Sequence, residues 1–222
     1  MARKAGKPEF AVIGLGRFGS SVALSLINRG YIVLGIDRDP EIVQRLSDRM
    51  TQIISMDTTS EEALRAVDIR SFDTVVVAIG AHFENNLLTT VALKSLGVRR
   101  VVCKALNERQ QHILLKVGAD QVVLPEHEAG MRLAVRLADP LVLDHLDLGP
   151  GFSVAEVRVP RRFVGQSLAK SDLRRLYGIN VLAVRRGQHL IVTPPADLIF
   201  NAEDQMLVIG SDDSIHTFCG QA

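Results

Sequence analysis

Six short apolar runs, each followed by a helical stretch, crowd into the first 125 residues, and this alternation limits the fold more than any other feature. The runs are 10–13, 32–36, 52–55, 74–79, 101–104 and 121–124. They are too short for helices and rich in β-branched side chains. Unbroken apolar runs suit strands covered on both faces, and helical crossovers between such strands make the sheet parallel. The expected fold class is therefore α/β: a Rossmann-like doubly wound parallel sheet with a small C-terminal α+β domain. The sheet and its helices are expected over 9–140, including a last helix at 126–138 that Asp139-Pro140 breaks.

Residues 1–8 read as a flexible tail, and 141–152, with Asp147-Leu-Gly-Pro-Gly151, as a linker. The texture then changes. Alternation at 153–159, a helical stretch at 167–177 and strands at 179–184, 188–193 and 205–209 predict the α+β domain over 153–222.

Length now becomes informative. A chain of 222 residues leaves little room for a catalytic domain once a dinucleotide fold is built. Lys and Arg number 26 against 25 Asp and Glu, so no global field draws in nucleic acid or anionic lipid. The most apolar uncharged run, 74–83, is about half the roughly 20 residues of a membrane helix. Cys103 and Cys219 have neither metal-ligand nor redox-pair spacing, which suits a reducing cytoplasm.

Gly14-Leu-Gly-Arg-Phe-Gly19 follows the first strand and opens a helix, the context in which G-x-G-x-x-G carries meaning. Gly14 makes the tight turn, Gly16 admits a pyrophosphate to the backbone, and Gly19 lets helix and strand close together. Asp37 ends the second strand, placed for a ribose hydroxyl, and it disfavours a 2′-phosphate although Arg38 beside it pulls the other way. The ligand expected is NAD(H), ATP or ADP.

Other strand ends join the rim: Asp57-Thr58, Ala78-Ile79-Gly80, Lys104 and Glu126. Arg17, beside Phe18 inside the glycine loop, is placed to reach a terminal phosphate of its own or a neighbouring subunit. Catalytic signals do not accompany this cast. The six histidines are scattered, and no G-x-S-x-G, H-E-x-x-H or Walker motif occurs.

Together, the glycine motif, Asp37, Asp57-Thr58, Val77-Ala-Ile-Gly80, Gly118-Ala-Asp120 and Pro125-Glu126 resemble the cytoplasmic regulatory subunits of Ktr/Trk potassium uptake systems. The segments 153–156, 165–168, 178–181 and 205–210 resemble that family's C-terminal regulatory domain. The resemblance implies a non-enzymatic RCK ring with TrkA-N and TrkA-C domains. Eight subunits would dock under a membrane potassium-translocating subunit. ATP would favour the conducting state and ADP the inactive one, with NAD(H) as the alternative ligand in Trk-type members. It also implies that Arg17 meets the ATP γ-phosphate across a subunit interface. Glu126 would help hold a divalent cation, Mg or Ca.

The second domain is polarised. Residues 158–186 carry eight basic side chains and one acid, whereas 197–213 carry five acids and no base. The family resemblance places cyclic di-AMP at Leu168, Ala169, Arg174 and Asn180. Nucleic acid is disfavoured, because the basic stretch lacks interleaved aromatics.

Overall fold

The structure, a computed structural model, describes residues 7–220. Of the expected tail, 1–6 lie outside the described residues, and Lys7 Nζ donates to the Gly30 carbonyl at 3.2 Å. The chain falls into two compact units that divide after His127.

The first unit alternates as the apolar runs require. It comprises β1 (Glu9–Ile13), α1 (Arg17–Asn28), β2 (Ile32–Asp37), α2 (Pro40–Leu46), β3 (Gln52–Ser55), α3 (Glu61–Ala66), β4 (Thr74–Val77), α4 (Phe83–Ser95), β5 (Val101–Lys104), α5 (Glu108–Lys116) and β6 (Gln121–Val123). The strands form one parallel sheet in the order β3-β2-β1-β4-β5-β6. Alternate residues of β1 and β4 feed two separate cores. Ile13, Val75 and Val77 pack with Leu93 and Leu114 in one, while Val12 and Val76 pack with Leu15, Ala23 and Leu46 in the other. Strand order reverses between β1 and β4, which opens a crevice beyond their carboxyl ends. Side-chain caps start the helices cleanly: Asp39 accepts from the Glu41 amide, Ser60 from Ala63 and Asn107 from Gln110.

After α6 (Pro125–Ala138), the second unit builds an antiparallel sheet in the order β10-β9-β11-β8-β7. Its strands are β7 (Val142–Gly149), β8 (Phe152–Arg158), β9 (Asn180–Arg186), β10 (His189–Val192) and β11 (Gln205–Ser211). Helices α7 (Leu168–Ser171), α8 (Leu173–Tyr177) and α9 (Asp212–Gly220) complete it. Its core gathers Val142, Ala155, Val157, Phe163, Phe200, Met206 and Phe218.

Two expectations change here. The linker at 141–152 is instead β7 and its hairpin turn, closed by Gly149 and Gly151 at φ of 125° and 76°. Those glycines read as loop because they are one, but the loop is a turn between paired strands. The single helix at 167–177 is two, because Asp172 sits in the left-handed region at φ 46° and separates α7 from α8.

Candidate functional site

The crevice at the switch point is a cavity of about 430 Å³, within the usual size of a ligand pocket. Gly14, Gly16, Asp37, Arg38, Asp57, Thr58, Ala78, Ile79 and Gly80, all expected at the site, line it. Ile42, Met56, His82 and Asn85 line it as well, and the sequence reading did not single them out.

Local geometry explains each glycine. Gly14 has φ 86°, and a Cβ there would lie 3.0 Å from the Ala78 carbonyl carbon. A Cβ on Gly19 would stand 1.8 Å from the Gly14 carbonyl oxygen, so only glycine lets α1 meet the loop. At Gly16 nothing lies within 4 Å, and the backbone there faces open space. Gly16 is also the N-cap of α1 and has no side chain to cap it. The first-turn N–H groups of this 12-residue helix are therefore left to an outside acceptor.

Asp37 is fixed from two sides, by the glycine loop and by the turn after its own strand. Its Oδ2 accepts from the Leu15 amide at 2.6 Å and its Oδ1 from the Asp39 amide at 2.9 Å. Each oxygen keeps lone-pair capacity, so the carboxylate presents a preset acceptor to a diol. Asp57 is held in a tight turn by the backbone and hydroxyl of Thr59. These bonds and the charge of Arg38 keep it ionised below the ordinary carboxylate range, against a smaller opposing effect of burial. Thr58 differs from expectation in detail: its buried hydroxyl pairs with Thr89 at 3.0 Å, so it supports the wall.

The remaining expected residues, Arg17, Phe18, Gly19, Lys104 and Glu126, do not line this cavity. Lys104, only 9% exposed, ends β5 and donates to Glu126 Oε1 at 2.6 Å. Its ammonium stands 5.8 Å from the Phe18 ring centre, and a Cβ on Gly80 would lie 3.4 Å from it. The Lys104 bond, helped by the charges of Lys104 and Arg17, keeps the Glu126 carboxyl below its ordinary range. Asn86 is a further residue the sequence reading missed. Fully buried, it donates to the carbonyls of Ile79 and Lys104 at 2.8 and 2.9 Å and so ties the ends of β4 and β5 together.

Glu126 alone does not make a cation site. Among the described residues no group of three carboxylate, histidine or cysteine side chains gathers to hold a metal, and the one carboxylate here already faces an ammonium. In the second unit, Leu168, Ala169, Arg174 and Asn180 do converge, and all four line one hollow of about 240 Å³ with Asp172 and Ile179. No helix among the described residues is long and apolar enough to cross a membrane.

A glycine-cradled crevice joined in sequence to a small antiparallel domain is the architecture of a nucleotide-binding regulatory chain. Comparison with known proteins agrees. Residues 10–125 match the TrkA-N domain and residues 154–221 the TrkA-C domain. The Ktr system potassium uptake protein C of Bacillus subtilis is 39% identical over 212 residues, covering 96% of both chains. Ktr system potassium uptake protein A of Vibrio alginolyticus is 34% identical, again over 96% of both. The chain belongs to this family of Ktr system potassium uptake proteins built from TrkA-N and TrkA-C domains. Among solved structures, the GsuK channel bound to NAD superposes with a TM-score of 0.54 at 22% identity, over 98% of this chain and 39% of that one. The TrkA-N domain of the Escherichia coli inner membrane protein ybaL gives 0.53 at 18%, over 58% and 96%. Both share the fold.

Proposed function

We propose that this chain is the nucleotide-sensing regulatory subunit of a Ktr-type potassium uptake system, and that it exchanges ATP for ADP rather than turning over a substrate. The observation that carries this reading is a preset Asp37 carboxylate beside the uncapped N-terminus of α1, with Asp37 and Gly16 lining one crevice. The carboxylate suits a ribose diol and the free N–H groups an anionic phosphate.

Sensing needs a ligand that favours one conformation over another. Arg17 supplies the difference if it meets the γ-phosphate that ADP lacks. A charge-assisted contact of this kind is worth roughly 1.5–3 kcal/mol. Repeated around a ring of subunits, the octamer being the family's form, that margin decides the state. The ring docks on a membrane potassium-translocating subunit at the cytoplasmic face. A shared Mg or Ca at Glu126 would need further ligands from a neighbouring subunit. The hollow at Leu168, Ala169, Arg174 and Asn180 supports a cyclic di-AMP site in the second unit. NAD(H) is the second reading for the crevice, since Asp37 serves any adenosine with a free 2′-hydroxyl.

Titration calorimetry with ATP, ADP, NADH and NADPH tests this, with solution mass followed in parallel. Micromolar ATP and ADP binding by a large assembly is expected, and a monomer that takes only NADPH overturns the reading. Arg17→Ala should erase the preference for ATP while ADP affinity stays nearly unchanged. Equal losses for both would place Arg17 on the shared phosphates.

A further inference from the structure

Lys104 is a nearly buried cation with one carboxylate beside it, and it stands where three parts of the first unit meet. Gly80 belongs to the wall of the crevice, Phe18 to the first turn of α1, and Glu126 to the first turn of α6. The ammonium is close to all three. A buried ammonium needs a counter-charge, and Glu126 provides it here. The backbone beneath Lys104 is pinned, because the Asn86 amide holds its carbonyl. Only the four-carbon side chain then has to move for the ammonium to change partner, while the strand end stays in place.

We infer that Lys104 is a shared counter-ion, which phosphate at the α1 N-terminus takes from Glu126. Phosphate binding and the Lys104–Glu126 pair then compete for one ammonium. When phosphate wins, Glu126 loses its partner and the first turn of α6 is released. That helix continues into residues counted with the second unit. The inference rests on the nucleotide reading and adds a regulatory step to it. Because linkage is reciprocal, weakening the pair must strengthen phosphate binding by the same free energy.

The test is a double-mutant cycle with ADP and adenosine as probes, in EDTA so that no cation contributes. Glu126→Gln should tighten ADP binding by roughly five- to tenfold and leave adenosine unchanged. In a Lys104→Gln background the same substitution should gain almost nothing. An equal gain in both backgrounds overturns the inference, since plain repulsion between Glu126 and phosphate would then suffice. No change in either background overturns it too. Hydrogen exchange gives a second readout: ADP, but not adenosine, should speed exchange at amides 127–130, and unaltered exchange counts against release of α6. Failure of the wild-type chain to bind ADP at all would instead defeat the nucleotide reading itself.

Discussion

Two glycines three residues apart in the same motif, Gly16 and Gly19, have opposite physical meanings. Gly19 has no space for a Cβ, since the Gly14 carbonyl oxygen would stand 1.8 Å away. Gly16 has ample space and an extended backbone at φ −63° that alanine adopts without strain. Gly19→Ala is therefore expected to destabilise the first unit by about 2–4 kcal/mol, comparable to a severe overpacking change. Gly16→Ala should leave the melting temperature within about 1–2 °C of wild type yet weaken nucleotide binding at least tenfold, as its methyl occupies the phosphate approach. Thermal melts and calorimetry on the two variants separate the roles. A Gly16→Ala chain that binds normally would place the phosphates elsewhere.

At the scale of elements, the hub of the second unit is the bidentate pair between Arg186 of β9 and Asp204, just before β11. Arg186 Nε and Nη2 donate to the two carboxylate oxygens at 2.8 and 2.7 Å, and the Asn201 amide adds a third bond at 2.9 Å. Burial alone would raise the Asp204 pKa. The Arg186 and Asn201 bonds and the Arg186 charge outweigh burial and hold it below its ordinary 3.8. A depressed carboxylate stabilises the fold above its unfolded pKa, and that stability is lost as pH falls through the folded value. Asp204→Asn should therefore cost about 1–3 kcal/mol at pH 7, less than a fully buried pair because Arg186 is 40% exposed. As pH falls below 3.8 and through the still lower folded value, the two chains should converge in denaturant midpoint. A gap that persisted in acid would show that packing, and not charge, ties these strands.

Legibility also varied by element. The central strands β1, β4 and β5 of the parallel sheet stood out because both faces are buried, leaving apolar runs that need no partner to be read. β7 did not, since Asp144, His145 and Asp147 give an edge strand the look of a loop. α9 was missed because its nine residues open with Asp212-Asp213 and bury only Ile215, Phe218 and Cys219. Strand ends made Asp37, Asp57, Thr58, Ala78, Ile79 and Gly80 legible as crevice lining, whereas Lys104 and Glu126, read the same way, lie outside it. The role of Asn86 was not, since it depends on β4 and β5 lying side by side, a distance no spacing along the chain records.

For the whole molecule, two units with separate cores imply separate unfolding events. ADP at one hundred times its dissociation constant should stabilise the first unit by about 2.7 kcal/mol and leave the second unmoved. Calorimetry should then show one transition rising by several degrees and one fixed, whereas a single shifting transition would mean that the units melt together. The Asn86 clamp carries a consequence for time. With the ends of β4 and β5 tied by one buried amide, those strand ends need not shift for Lys104 to change partner. On the proposed exchange, the first response would be a side-chain rearrangement, ahead of domain motions that need microseconds to milliseconds. The sensor would settle long before any assembly it belongs to could turn, so the pace of potassium flux would be set downstream of the nucleotide.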